Sequence, residues 1–287
     1  MTSAANDART DLAEEPIISV RDLVTHYGGR KILHGVDMDV QRGEIMVIMG
    51  GSGSGKSTLL RHLIRLSHKT SGSIRLLGEE LGDMDEFAFN AFCRKLGVAF
   101  QGGALFSSMT VGENIMLPLR EHTKLDPTTM EIMLRLKLEL VDLAGFENLM
   151  PSELSGGMIK RAALARAIIM DPALLFCDEP SAGLDPVVSA ALDETILRLR
   201  DALGMTIVVV THELESAFRI ADRITVLDRG HVLQIGTVAE IRDSPNPRIQ
   251  ALLNRRFEPE ELDPDAYLAR LTGQTSSPGG GRESLDR

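Results

Sequence analysis

The sequence predicts an α/β protein with a parallel core sheet, an antiparallel β layer and an inserted helical subdomain, and three patterns carry that prediction. Apolar runs at residues 45–49, 174–177 and 206–210 are short and continuous, and each leads through a loop into helical periodicity. Such runs are strands of a parallel sheet covered on both faces. From residue 17 to 44 the pattern instead alternates, most clearly in Val36-Asp37-Met38-Asp39-Val40, with Gly28-Gly29 as a turn, which is the signature of an antiparallel layer. Residues 102–170 read as mostly helical, so a helical subdomain interrupts the α/β core.

The elements follow in order. After the strand at 45–49, residues 56–66 are helical. Within 128–144, Met133, Leu136, Leu140 and Leu143 are spaced to share one face, and Gly145 marks the stop. Val188, Leu192, Ile196, Leu199 and Leu203 form a second stripe that Gly204 ends, feeding the strand at 206–210. The runs at 224–227 and 232–235 flank Asp228-Arg229-Gly230-His231 and predict a late hairpin. Asp263-Pro264 opens a short helix containing Tyr267, Leu268 and Leu271, and from residue 272 Ser, Gly and Pro predominate, so disorder is expected. The organisation is therefore a disordered polar lead over 1–15, one folded domain over 16–254 and a tail over 255–287.

Charge and composition exclude several classes. Forty-one acidic against 31 basic residues give a net charge of −10, which lacks the positive field of a sequence-independent nucleic-acid binder. Phosphate binding must then come from local backbone geometry. No apolar run approaches the ~18 residues that span a bilayer, and the lead has no apolar core of a secretory signal. Cys93 and Cys177 suit reduced, buried thiols in the cytoplasm rather than a disulfide or a metal site.

The phosphate cradle is Gly50-Gly51-Ser52-Gly53-Ser54-Gly55-Lys56-Ser57, placed between a strand and a helix as a P-loop must be. Its glycines let successive N–H groups converge, and the helix N-terminus adds its dipole. Lys56 is expected to reach the β- and γ-phosphates of ATP and the Ser57 hydroxyl to bind Mg²⁺, with Thr58 ending the nucleotide-binding run. Asp178 and Glu179 close the run at 174–177, where open α/β sheets bind ligands. Asp178 is expected to hold Mg²⁺ and Glu179 to polarise the attacking water as general base. His212 emerges at the same sheet edge and is a third candidate by position.

Leu154-Ser155-Gly156-Gly157-Met158, followed by Lys160-Arg161-Ala162-Ala163-Leu164-Ala165-Arg166-Ala167, resembles the signature of ATP-binding-cassette (ABC) ATPases. Ser155, Gly156 and Gly157 precede a helix and form a second N-terminal anion site. The resemblance covers residues 17–254 and implies the ABC-cassette type of P-loop fold. It also implies roles for further residues. Gln101 matches the glutamine that senses Mg²⁺ and links to the membrane partner, Asp185 lies in the match to the D-loop, and His212 matches the switch histidine at the γ-phosphate. Tyr27 stands where an adenine-stacking aromatic belongs, a core or surface tyrosine being the alternative. One P-loop and one signature per chain imply a head-to-tail homodimer enclosing two ATP molecules.

Gln101-Gly102-Gly103-Ala104-Leu105-Phe106 and the stretch from Asn114 through Pro118 to Thr123 look like the ATPase subunit of Mla-type lipid transporters. Met158 in place of the commoner glutamine fits that group. The resemblance implies integral-membrane permease subunits above the dimer, a periplasmic MCE protein, and a small STAS-domain subunit on the helical insertion. It places the chain peripherally on the cytoplasmic face of the bacterial inner membrane. Two rivals share the catalytic motifs: the ATPase of a polar-solute importer, and a soluble cassette acting on nucleic acid or ribosomes. The latter usually carries a long coiled-coil insertion or paired cassettes, and neither is seen here. The tail after Asn254 either docks on the neighbouring subunit through Tyr267 and Leu268 or stays solvated.

Overall fold

The computed structural model describes residues 15–27 and 29–254. The polar lead up to residue 14, Gly28 and the tail from residue 255, with the helix expected around Tyr267, lie outside the described residues. β1 (Ile18–Tyr27) pairs antiparallel with β2 (Arg30–Val40), Ile18 opposite Val40 and Tyr27 opposite Arg30. β3 (Ile45–Gly50) leads through the phosphate loop into α1 (Lys56–Leu63). β4 (Ser71–Leu76) and β5 (Glu79–Glu80) then complete a sheet of order β2-β1-β4-β5. The sequence pattern did not signal β4, because only Ile74 and Leu76 of it are buried and Gly72 sits at φ 92 against the backbone of Asp22.

α2 (Glu86–Cys93) precedes β6 (Leu96–Ala99). The chain next builds α3 (Val111–His122), α4 (Pro127–Leu140), a 3-10 turn (Pro151–Glu153) and α5 (Gly156–Ala167) before re-entering the sheet at β7 (Leu174–Asp178). α6 (Pro186–Leu203) ends where Gly204 takes φ 61, and β8 (Thr206–Thr211) follows. α7 (Leu214–Ile220), β9 (Arg223–Asp228), β10 (His231–Thr237), α8 (Val238–Arg242) and α9 (Pro247–Leu253) finish the described chain. The main sheet has the order β10-β9-β3-β8-β7-β6, with only the β9–β10 hairpin antiparallel. The expected α/β class, with its parallel core and antiparallel layer, is the class observed.

Both faces of the main sheet are buried, which is why its strands read as unbroken apolar runs. Ile45, Val47 and Met49 of β3 face one core, shared with Leu175 and Cys177 of β7 and with the helices α3 to α6. Met46 and Ile48 face the other, shared with Phe176, α1 and the antiparallel layer. Period-two alternation therefore sorts apolar residues between two cores rather than between core and water.

Two expectations fail. α4 buries Leu134, Lys137 and Leu138, while Leu136 is 61% exposed, so the apolar face is rotated from the one the spacing suggested. Helix α4 stops at Leu140, and Val141 and Leu143 return to the core from the turn that follows. A lysine in the middle of the true face hid it, and its ammonium reaches solvent chemistry through an ion pair with Asp171. Cys93 is exposed rather than buried, at the end of α2, whereas Cys177 is buried and its thiol is pushed up to about 12 by burial. Among the described residues no helix is long and apolar enough to cross a membrane.

The rotated face sets a stability contrast. Leu138→Ala should cost about 2–5 kcal/mol in denaturant unfolding by opening a cavity, and Leu136→Ala less than about 0.5 kcal/mol. Equal losses at the two positions would contradict the observed packing of α4.

Candidate active site

The phosphate loop is shaped by what its glycines permit. A side chain at Gly50 would place Cβ 2.1 Å from the Leu227 carbonyl, so only glycine lets β3 pass β9 here. Gly53 and Gly55 take φ values of 73 and 106, which favour glycine. Gly55 is also the N-cap of α1 and offers no side-chain acceptor, so the first N–H groups of that helix keep their affinity for an anion. The loop is held against the β9–β10 hairpin by the Gly230 N–H, which donates to the Ser54 carbonyl at 2.9 Å. Ser52 is exposed, Ser54 is buried with an unpartnered hydroxyl, and Ser57 and Thr58 open the helix. Lys56 Nζ donates to the carbonyls of Gly50 and Gly51 at 2.8 and 2.9 Å. Burial pulls the Lys56 ammonium below its ordinary pKa, and Glu179 and Asp178 partly offset that effect.

Across from the loop stands the end of β7. Asp178 is half-buried, and burial followed by the charge of Glu179 raises its carboxyl above the usual range, against the opposing pull of Arg61, Lys160 and Lys56. Its Oδ1 is buried and has no hydrogen-bond partner. Glu179 adopts φ 47, its N–H donating to the Val210 carbonyl at 2.8 Å. Its Oε2 lies 2.8 Å from His212 Nδ1 and accepts the His212 backbone N–H at 3.3 Å. The structure thus brings Lys56, Asp178, Glu179 and His212 into one electrostatic neighbourhood. An unsatisfied buried carboxylate oxygen fits a hard divalent cation. Among the described residues no cluster of three or more His, Cys, Asp or Glu can hold a metal by itself.

Gln101 follows β6 in an exposed loop, and its carbonyl accepts a bond from Lys160 of α5. Ser155 is the N-cap of α5, its hydroxyl accepting the Met158 N–H at 3.3 Å. Side chains at Gly156 and Gly157 would meet Leu184 and Val188, the latter at 2.5 Å, so this end of α5 abuts the segment leading into α6. Asp185 caps α6 through bonds of 3.0 and 3.1 Å from the N–H groups of Val187 and Val188. Tyr27 ends β1 about half exposed, its hydroxyl 3.2 Å from Ser67 Oγ.

One feature was not foreseen. A cavity of about 730 Å³ beside the phosphate loop is lined by Arg30, Lys31, His34, Arg229 and Arg248, together with loop residues 51–54, but not by Tyr27. Arg30, Lys31 and His34, then Arg229, then Arg248 come from three separate stretches of chain, and no local pattern announces their meeting.

Residues 33–182 match the family model described as "ABC transporter". The chain is 39% identical over 238 residues to the intermembrane phospholipid transport system ATP-binding protein MlaF of Escherichia coli (strain K12), covering 83% of this chain and 88% of that one. It is 38% identical over 239 residues to the probable ribonucleotide transport ATP-binding protein mkl of Mycobacterium leprae (strain TN), covering 83% and 69%. Among solved structures, the dimeric post-hydrolysis state of the ATP-binding cassette MJ0796 bound to ADP and Pi superposes with a TM-score of 0.70 at 29% identity, over 77% of this chain and 98% of that one. cbiO1 from Clostridium perfringens gives 0.75 at 26% identity, over 91% and 100%. The P-loop, the acidic strand end and the extent of these matches lead to one conclusion: the chain belongs to the ABC transporter family, as an ATP-hydrolysing ATPase subunit.

Proposed function

We propose that two copies of this chain close head to tail on two ATP molecules and that this motion drives phospholipid transfer between the inner membrane and a periplasmic MCE protein. The observation that carries the catalytic part is the shared position of Lys56, Asp178, Glu179 and His212, with the Glu179 carboxylate 2.8 Å from the His212 ring. The loop amides of Gly51 to Gly55 and the N-terminus of α1 hold the phosphates, and Lys56 leaves its carbonyl partners for the β- and γ-phosphates. Ser57, Asp178 and Gln101 would hold Mg²⁺, which when bound neutralises charge on the phosphates. Glu179 accepts the proton of the attacking water, and His212 contacts the γ-phosphate from the neighbouring strand end. Tyr27 stacks on adenine. Ser155, Gly156 and Gly157, with Asp185, complete the nucleotide site of the opposite copy. Because the γ-phosphate then bridges both copies, its loss removes the contact that keeps them closed.

The lipid part rests on the similarity to MlaF, which runs through nearly all of the described chain. In this reading the dimer sits on the cytoplasmic face beneath integral-membrane permease subunits, with a STAS-domain subunit against the helical insertion. A polar cargo is the second reading, favoured by the ribonucleotide named for mkl at nearly the same identity.

Glu179→Gln should lower kcat for ATP at least ~100-fold, as loss of a general base does, and leave an ATP-dependent dimer that persists on gel filtration. Hydrolysis at the wild-type rate would remove Glu179 from the role. Lys56→Ala should raise the Kd for ATP about 10-fold or more, because charge-assisted bonds to phosphate are lost. Isolation of the assembled complex from membranes should yield an MCE protein and bound phospholipid; a soluble solute-binding protein in its place would establish the polar cargo.

A further inference from the structure

α5 meets the site from two directions. Its first residues, Gly156 and Gly157 behind the cap Ser155, belong in the reading above to the other copy's nucleotide. One turn later Lys160 leaves the same helix toward the chain's own site. Its ammonium donates to the carbonyl of Gln101 and lies 3.4 Å from the carbonyl of Glu179. Those carbonyls arrive from the ends of two neighbouring strands, β6 and β7, which pair through Ala99 and Cys177. An ammonium has three donors and no acceptor, so one lysine can bind two carbonyls and still carry full charge. Burial lowers its affinity for the proton, while the nearby carboxylates of Asp178 and Glu179 hold the proton on.

The rest of α5 grips the same loop. The Arg166 guanidinium donates to the carbonyls of Gly103 and Ala104 at 2.8 and 2.7 Å. Gly103 takes φ 75, and a side chain there would lie 2.8 Å from Ile159. Residues 101–104 are therefore held to α5 at both ends. Arg166 reaches only the far side of the loop, whereas Lys160 is, among the described residues, the side chain that bonds both the loop and the residue proposed as base.

We infer that Lys160 is a positioning residue: by tying the carbonyls of Gln101 and Glu179 to α5, it makes the helix that serves one nucleotide set the geometry of the residues that act on the other. This inference rests on the two-copy reading of the site. A shift of α5 on meeting the partner's nucleotide is then transmitted to Gln101 and Glu179 without a side chain of Lys160 touching either ATP.

The test uses the complex purified from membranes with its partners, measured for steady-state ATP hydrolysis. Lys160→Met keeps the length of the side chain and removes its donors, and Lys160→Arg keeps donors and charge. Lys160→Met should lower kcat about 10–100-fold, the effect of misplacing reacting groups by about an ångström. KM for ATP should change less than about 3-fold, since ground-state binding is untouched. Lys160→Arg should recover kcat to within about 3-fold of wild type by offering donors to both carbonyls. Lys160→Gln, a shorter uncharged side chain with two amide donors, should fall between the two and replaces Met where Met does not fold. Unchanged kcat without the ammonium, a loss confined to KM, or a loss that Arg does not recover overturns the inference. Glu179→Gln is run in parallel to separate the two levels. If it is inactive while Lys160→Met runs at full rate, only the role of Lys160 falls; if it hydrolyses ATP normally, the reading of the site falls first.

Discussion

Val210 sits where the site is registered. In the parallel sheet it is opposite Ile48 of β3 on one side and Asp178 of β7 on the other. Its carbonyl accepts the Glu179 N–H at 2.8 Å. These pairings bring the ends of three strands level, so the phosphate loop, the acidic pair and His212 leave the sheet side by side. A slip of one residue in any of the three would exchange the side chains facing the two cores, so burial on both faces fixes the register. The same pairing holds Glu179 at φ 47, a backbone conformation that costs on the order of 1–3 kcal/mol and persists only where neighbours enforce it.

Electrostatics explains how an acidic chain can hold a triphosphate. Net charge is −10, yet Lys56 and Lys160 are drawn into the sheet edge by Asp178 and Glu179, which oppose the effect of burial on both lysines. The carboxylates therefore hold cationic side chains at the sheet edge against the cost of burial. Beside the loop, Arg30, Lys31 and Arg229 line the neighbouring cavity together with the paired Arg248 and Asp228, so positive charge outnumbers negative there while the whole molecule is negative. α5 completes the arrangement, since one helix carries Ser155 at its exposed end and Lys160 against the ends of β6 and β7.

Some of this was legible in the sequence because the chemistry leaves little choice of residue. Gly50 cannot carry a side chain beside Leu227, Gly53 and Gly55 need positive φ, and Lys56 must follow, so backbone constraint and chemistry wrote the same string. The strands at 45–49, 174–177 and 206–210 were visible because burial on two faces leaves no polar interruption. The face of α4 was misread because the buried Lys137 is paired with Asp171, a partner 34 positions away. β4 escaped notice because its close approach to β1 demands glycine at position 72 and only Ile74 and Leu76 of it are buried. The grip of Lys160 and Arg166 on residues 101–104 was unreadable for a related reason: main-chain carbonyls receive those bonds, and carbonyls have no sequence identity.

The central claim is that each nucleotide is held by the phosphate loop of one copy and the signature of the other, and mixing two inactive variants tests it most directly. Lys56→Ala disables the loop and Ser155→Arg disables the signature, so a dimer containing one of each retains one site whose two halves are both intact. Combined in equal amounts and allowed to exchange, the pair should regain up to about a quarter of wild-type ATP turnover, since half of the dimers are mixed and each keeps one of two sites. No recovery, with mixed dimers demonstrated to form, would mean that loop and signature serve a nucleotide within one chain and would contradict the account.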